Sequence, residues 1–152
     1  MRAAVLVLLS YAHLSSCDLT DILLQAVGVK GKLTCHGKPV GGVDVYLMEA
    51  DIREETLMSR GKTNKTGHFK LEGTDKEVTT MEPVLKILHK CDYAPGCCCY
   101  HKKRFPIPQS YVVRRSRKPR RFYDLGVIEL SKKMQYDLND QCIAYDDIKD
   151  IL

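Results

Sequence analysis

The segment from residue 63 to residue 91 most constrains the fold, because it combines a turn with two candidate β-strands. Residues 63–67 are polar and include a glycine between apolar segments, which is typical of a turn. Apolar and polar residues alternate from His68 to Glu72, as in a half-buried strand. A second candidate strand, Val84–His89, follows Pro83, whose missing N–H is tolerated at the start of a strand. This segment therefore predicts β structure that ends close to a cysteine, Cys91.

Short candidate strands recur along the chain, separated by turns rich in glycine, proline or charged residues. They number seven and lie at Gly28–Thr34, Val43–Glu49, Thr56–Lys62, His68–Glu72, Val84–His89, Lys102–Ile107 and Phe122–Leu130. Strands of this length and spacing predict an all-β sandwich with Greek-key connections. The length of 152 residues suits one domain with a hydrophobic core, but not two.

The N-terminal residues are typical of a secretory signal peptide. Arg2 precedes the apolar run Ala3–Leu9, which is too short to anchor the chain across a bilayer. Small residues allow cleavage of the signal peptide after residue 12 or residue 17. The residues before Cys17 also resemble a short lipobox, so an alternative is a lipid attached to Cys17 that tethers the protein. We predict a signal peptide over residues 1–17, a β-sandwich domain over 18–144 and a C-terminal tail over 145–152, either helical or frayed. The mature protein should be secreted, extracellular and not membrane-spanning.

The seven cysteines predict disulfide bonds, because export favours oxidised thiols in a small domain. Removal of Cys17 with the leader would leave an even number for pairing. Cys97 and Cys98 are neighbours and poorly placed to pair with each other. They are candidates for an intermolecular bridge, a further internal bridge or a redox-active thiol.

A metal site is the alternative use of these cysteines. Thiolate and imidazole ligands suit zinc or copper, and the candidate donors are His89, Cys91, Cys97, Cys99 and His101. Their spacing is irregular, and export favours oxidation of the thiols. We therefore expect no metal and no other cofactor.

One N-glycosylation acceptor sequence, Asn64-Lys65-Thr66, lies on the predicted turn before the strand His68–Glu72. A turn is accessible to the modifying enzyme, so Asn64 is a candidate for glycosylation.

A basic segment carries much of the net charge of +5. Six cations lie in the short candidate loop 114–121: Arg114, Arg115, Arg117, Lys118, Arg120 and Arg121. The loop either serves solubility, attracts an anionic partner or is cut by a secretory convertase. The arginines lack the aromatic pattern of nucleic-acid binding, so we expect no nucleic-acid partner.

Several segments together resemble the nematode transthyretin-like family. The resemblance is found, in the family's order, at Val29–Pro39, residues 63–91, Phe105–Pro108, Phe122–Leu130 and Asp140–Ile143. It covers most of the mature chain and implies a small secreted sandwich of the transthyretin type, immunoglobulin-like and seven- or eight-stranded. Family members carry cysteines matching Cys35, Cys91, Cys99 and Cys142, which implies the disulfides Cys35–Cys91 and Cys99–Cys142. Cys97 and Cys98 depart from the family pattern.

The resemblance also raises an enzyme as an alternative, since transthyretin's relatives include hydroxyisourate hydrolases. Those enzymes end in Tyr-Arg-Gly-Ser, whereas this chain ends in Asp147–Leu152, and its histidines stand isolated in the sequence. We therefore expect no catalytic residues and a non-enzymatic extracellular binding or signalling module. It would dock on a protein receptor, a glycan or an anionic lipid surface, with the basic loop as the contact. A carrier of small hydrophobic ligands is a further alternative, and oligomers are possible.

Overall fold

The computed structural model describes residues 19–51, 54–132 and 143–144. Its elements are, in order, α1 (Leu19–Leu23), β1 (Leu24–Cys35), β2 (Lys38–Pro39), β3 (Asp44–Ala50), β4 (Glu55–Lys62), β5 (His68–Lys76), β6 (Pro83–His89), β7 (Cys99–Pro106), a 3₁₀ turn (Gln109–Tyr111), β8 (Val113–Arg114), β9 (Phe122–Glu129) and β10 (Ile143–Ala144). The seven predicted strands are confirmed as the seven longer ones. The predicted signal peptide and C-terminal tail lie outside the described residues.

The strands form two sheets that face each other, which confirms the predicted all-β sandwich. In the first sheet β1 is central, with β5 antiparallel along one edge and β9 parallel along the other. The short strands β2 and β8 extend the same sheet from either end of β1. The second sheet has the order β10-β7-β6-β3-β4 and is antiparallel throughout. Neighbours such as β1 and β9 are far apart in sequence, as Greek-key connections require.

The main core fills the space between the sheets. Fully buried side chains from both sheets meet there, among them Val27, Val29, Val45, Leu85 and Ile87. Removing such a side chain from water contributes about 1.5–3 kcal/mol, so this layer supplies most of the driving force for folding. A smaller cluster of Tyr46, Met48 and Leu88 forms a second apolar group with Tyr100 and Ile143.

A buried ion pair lies between β4 and β6. Lys86, whose side chain is only 5% exposed, pairs with the Glu55 carboxylate, and the Arg104 guanidinium donates to the same carboxylate over 3.3 Å. Burial acts to raise the pKa of Glu55, but the hydrogen bonds and charges of Lys86 and Arg104 outweigh it and hold that pKa below its ordinary value. The pair thus lets the all-buried strand β6 include a lysine.

A disulfide joins Cys35 to Cys91, the pairing that the family resemblance implied. Cys35 ends β1 in the first sheet and Cys91 follows β6 in the second, so the bond links the two sheets at one end of the sandwich. Cys99 is also disulfide-bonded. Cys142 lies outside the described residues, so the pairing of Cys99 with Cys142 stays a prediction. Cys97 and Cys98 are free thiols.

Candidate anion-binding surface

The basic loop, residues 114–121, is attached to the first sheet at both of its ends. Before the loop, β8 pairs with Gln25 and Ala26 at the start of β1. After it, β9 begins at Phe122 directly beside Gly28 of the same strand. Both anchors lie on β1, so the loop is fixed near the first residues of the central strand.

Gly28 lets the loop pack down onto the outer face of the sheet. A Cβ at this position would lie 2.7 Å from Phe122 Cδ1 and 2.9 Å from Pro119 Cγ, closer than real carbon contacts come. The absence of a side chain therefore creates the space that the Phe122 and Pro119 rings occupy. Pro119 lies within the basic segment, so this contact holds the loop against the sheet while its cations stay exposed.

Local hydrogen bonds give the loop a defined backbone. Arg115 has a left-handed backbone with a φ of 54°, and its N–H donates to the Leu24 carbonyl over 2.6 Å. The Ser116 hydroxyl accepts from the Lys118 N–H at 3.2 Å and donates to the Lys118 carbonyl at 2.8 Å. These bonds form a turn that presents the neighbouring side chains to solvent.

Three of the six predicted cations have partners within the chain. Arg117 pairs with Asp21 at 3.2 Å, and Arg121 donates to the Ser110 carbonyl at 3.0 Å. Arg121 also lies over the Tyr111 ring, 4.2 Å from its centroid. Arg114 makes a long contact of 3.5 Å with the Val78 carbonyl. All three cations are exposed, so these pairings hold the side chains in place without removing their charge from solvent.

The other three cations, Arg115, Lys118 and Arg120, are exposed and have no side-chain partner within the described part of the chain. They are the residues of the loop whose charge is free to meet an external anion.

Two lysines of the sheet extend the basic surface, and sequence reasoning missed both. Lys30 of β1 and Lys70 of β5 are direct neighbours in the ladder. The Lys70 ammonium lies 4.1 Å from the centroid of Phe122, the residue that follows the loop and begins β9. Alternation along each strand marks both lysines as outward-facing, but their adjacency depends on a register that the sequence does not reveal. We call the six loop cations together with Lys30 and Lys70 the basic face.

Acidic residues moderate this surface at its edge. Lys30 pairs with Asp124 at 3.2 Å. A hydrogen bond from the Gly126 N–H, and after it the bond from Lys30, hold the pKa of the Asp124 carboxyl below its ordinary value. Glu72 stands opposite Gly28 in β5 and is exposed. The positive charge is therefore concentrated on the loop, with a mixed border on the sheet.

The glycosylation candidate Asn64 is exposed in the turn between β4 and β5. Its side-chain oxygen accepts from the Thr66 N–H at 3.0 Å and the His68 N–H at 2.9 Å. His68 pairs with Lys32, whereas the loop pairs with Gln25, so Asn64 lies toward the opposite end of β1 from the basic loop. A glycan on Asn64 would leave the basic loop uncovered.

A pocket of about 550 Å³ lies at the disulfide end of the sandwich. Its lining combines apolar and polar side chains: Val40, Leu88, His89, Tyr93, Tyr100 and Leu130, with Cys35 and Cys91. It is open to solvent on one side, and its volume falls within the range of small-molecule sites.

The histidines are less isolated than the sequence suggests. His89 and His101 face each other across β6 and β7 with ring centroids 5.3 Å apart, and Tyr93 stacks on His101 at 4.1 Å. His36 lies 2.6 Å from Asp92, and His68 lies 3.0 Å from the Thr66 hydroxyl. Neither of the last two pairs unites an imidazole, a carboxylate and a hydroxyl nucleophile, which a triad would require.

The five donors of the predicted alternative metal site do not form one cluster. Cys91 and Cys99 are both in disulfides and offer no thiolate. Within the described residues, the donors that do lie close together are Cys35, His36, Cys91 and Asp92. No sequence pattern predicts this group, because Cys35 and His36 follow from a strand of the first sheet and Cys91 and Asp92 from a strand of the second.

Within the described ranges, the structure has no helix of the length and apolarity that crossing a membrane requires.

Comparison with known proteins identifies the relatives of the chain. Residues 30–108 match the model of the Transthyretin-like family. Transthyretin-like protein 5 of Caenorhabditis elegans is 42% identical over 109 residues, which cover 70% of this chain and 77% of that protein. Transthyretin-like protein 2 of the same organism is 36% identical over 141 residues, covering 87% of this chain and 92% of that protein. Among solved structures, a 9R-lipoxygenase from Cyanothece reaches a TM-score of 0.39 at 14% identity over 70% of this chain and 16% of its own, too low to carry an argument. The chain therefore belongs to the transthyretin-like family.

Proposed function

We propose that the protein is a secreted, non-enzymatic binding module that docks through its basic face on an anionic surface of a receptor, a glycan or a lipid layer. The observation that carries this proposal is the basic loop itself. It is anchored at both ends and packed on Gly28, yet its six cations remain exposed.

The fixed backbone matters because binding by a mobile loop would lose conformational entropy. Ordering a rotamer-rich side chain on association costs about 0.5–1.5 kcal/mol, and ordering its backbone costs more. Here the Arg115 N–H, the Ser116 hydroxyl and the Pro119 ring already hold the loop. Partner binding would then need to order little beyond the ends of the side chains.

The charges without internal partners supply the attraction. Arg115, Lys118 and Arg120 would each interact with a partner anion without first breaking an ion pair. Near an anionic membrane, one basic residue contributes about 1 kcal/mol, and the contribution falls off within a Debye length of about 8 Å at physiological salt. The three together would account for about 3 kcal/mol of salt-sensitive binding free energy.

Family membership supports a binding role without catalysis, since the relatives are named transthyretin-like proteins and their names state no activity. The absence of an enzymatic role remains part of the proposal. A turnover assay on hydroxyisourate would test it directly, and measurable hydrolysis by the purified chain would contradict it.

The test of the docking surface uses the mature chain secreted from a eukaryotic host. Binding is measured against three probes over a series of salt concentrations: immobilised heparin, vesicles with anionic headgroups and an acidic peptide. The test variant is Arg115→Gln/Lys118→Gln/Arg120→Gln. Its matched control is Lys38→Gln/Lys65→Gln/Lys132→Gln, three exposed lysines outside the loop with the same change in net charge.

We expect the test variant to bind its preferred probe about 100-fold more weakly, equivalent to the 3 kcal/mol above, and with a shallower salt dependence. The control should keep both its affinity and its salt slope. The probe that binds tightest identifies the source of the anion. Equal losses in the two variants would show that net charge alone acts, and the proposed contact would be wrong.

A further inference from the structure

The disulfide between Cys35 and Cys91 is flanked by two further side chains that are metal ligands in many proteins. Each cysteine is followed directly in sequence by one of them, Cys35 by His36 and Cys91 by Asp92. Both of these residues have left-handed backbones, with φ values of 50° and 73°, although neither is a glycine. The chain turns at both points in a way that brings His36 Nε2 within 2.6 Å of Asp92 Oδ1.

The four donor atoms form one compact group. The two sulfurs, an imidazole nitrogen and a carboxylate oxygen all lie within 4.8 Å of one another. In a tetrahedral zinc site with Zn–S near 2.3 Å and Zn–N near 2.0 Å, neighbouring ligand atoms are about 3.3–3.8 Å apart. The observed group is therefore of the right size once the S–S bond is open and the sulfurs have separated.

The disulfide decides whether this group can bind a metal. Bonded sulfurs are not thiolates, so the oxidised protein lacks two of the four ligands. A thiol reductant would break the S–S bond, supply two electrons and be converted to its own disulfide, leaving Cys35 and Cys91 as thiols. A divalent cation would then displace the two thiol protons to solvent.

The surroundings allow both steps. The side chains of His36 and Asp92 are 67% and 45% exposed, so they can move apart to admit an ion. The pocket of about 550 Å³ is lined by both cysteines and by Asp92, and it opens to solvent beside the bond. Cys91 is buried at 9% exposure, which places one ligand in the low-dielectric interior where a charged metal–thiolate bond is protected from water.

We propose that Cys35, Cys91, His36 and Asp92 form a zinc-type metal site that is closed by the disulfide and opened by thiol reductants. The bound ion would replace the covalent bond as the link between the two sheets. Disulfide and metal are mutually exclusive states of one site, which makes the link sensitive to the redox conditions around the protein.

The test uses the full secreted chain, reduced with a phosphine because thiol reductants would compete for zinc. Zn²⁺ is added, free thiols are alkylated for a fixed time, and each cysteine is identified by mass spectrometry. We expect Zn²⁺ to slow alkylation of Cys35 and Cys91, but not that of Cys97, Cys98 or Cys99. The oxidised chain should bind no stoichiometric zinc. Protection of residues 97–99 instead, or alkylation of Cys35 and Cys91 at the same rate with and without Zn²⁺, would overturn the proposal.

Ligand variants separate this site from general binding to reduced thiols. We expect His36→Ala and Asp92→Ala to weaken zinc affinity by at least about tenfold, since even outer-shell partners of zinc ligands contribute about 10–100-fold. The controls His68→Ala and Asp124→Ala change the same residue types at exposed positions and should have no effect. With Co²⁺ in place of zinc, thiolate charge-transfer absorption should appear in the reduced chain and vanish in Cys35→Ser/Cys91→Ser. Unchanged affinity in both ligand variants would refute the four-residue site, whether or not the reduced chain stays folded.

Discussion

Removing the Cys35–Cys91 bond should cost the fold much of its stability. The two cysteines are 56 residues apart in sequence, so the bond closes a long loop in the unfolded chain. The chain-entropy relation for a loop of this length gives a stabilisation of about 4 kcal/mol at 25 °C. A typical domain has a free energy of unfolding of about 5–15 kcal/mol, so this loss is a large fraction of the total. We therefore expect Cys35→Ala/Cys91→Ala to be folded but marginal.

The assay is urea unfolding at neutral pH, followed by circular dichroism and by tyrosine fluorescence, since the chain has no tryptophan. The control is Cys97→Ala/Cys98→Ala, which removes two sulfurs without removing a crosslink. This control should shift the free energy of unfolding by less than about 0.5 kcal/mol, as surface substitutions usually do. A loss below about 1 kcal/mol in the test variant would refute the loop-closure reasoning. It would mean that the unfolded chain already keeps these two segments close together.

Three further predictions concern single positions. Gly28→Ala should destabilise the fold by about 1–3 kcal/mol through its clash with Phe122, and should weaken anion binding as the loop is displaced; urea unfolding and the heparin assay check the two effects. Glu55→Gln should destabilise the fold at pH 7, by up to about 3 kcal/mol, because it removes a negative charge from beside the buried Lys86. The folded-state pKa of Glu55 is lowered, so the stability that this carboxylate contributes is present above its ordinary pKa and is lost as the pH falls. The free energy of unfolding of the variant should therefore decrease less steeply as the pH is lowered into the acid range. Glu49→Gln should instead stabilise the protein by about 1 kcal/mol at pH 7 and have no effect near pH 4. Burial raises the folded-state pKa of Glu49, so its ionised form is the costly one. In urea unfolding, the same difference between the variant and the unsubstituted protein at both pH values would contradict this.

The sequence predicts the longer strands because their signals are local. Alternation from His68 to Glu72 reports directly on a strand with one buried face, and the structure extends it to Lys76. The run in β6 is buried at every position, including Lys86, and was still recognisable by its apolar residues and its leading proline. The beginning of β1 was missed, since Leu24–Val27 becomes strand by pairing with β5 and β8, which are distant in sequence. Two-residue strands such as β8 have no periodicity to detect.

The candidate surface shows the same limit. Its charges are evident in the sequence as a run of arginines and lysines, but its shape is not. The packing of Pro119 on Gly28 joins residues about ninety positions apart, and glycine gives no sign of what fills the space beside it. The same holds for Lys70 and Phe122, whose contact depends on β5 and β9 lying on either side of β1. Long-range pairing is what converts a basic segment into a fixed basic face.

Strand β1 connects the two sites proposed here and also keeps them apart. The loop packs at Gly28, while the disulfide is at Cys35, seven residues further along the strand. At about 3.3 Å per residue the separation is about 23 Å, well beyond the distance at which substitutions usually interact energetically. Opening the disulfide should therefore leave the basic face intact as long as the core holds the sandwich together. Anion affinity that stays constant when zinc replaces the disulfide would show that the sandwich transmits no strain along β1. A change in affinity would instead mean that the link between the sheets sets the position of the loop, and that redox state regulates docking.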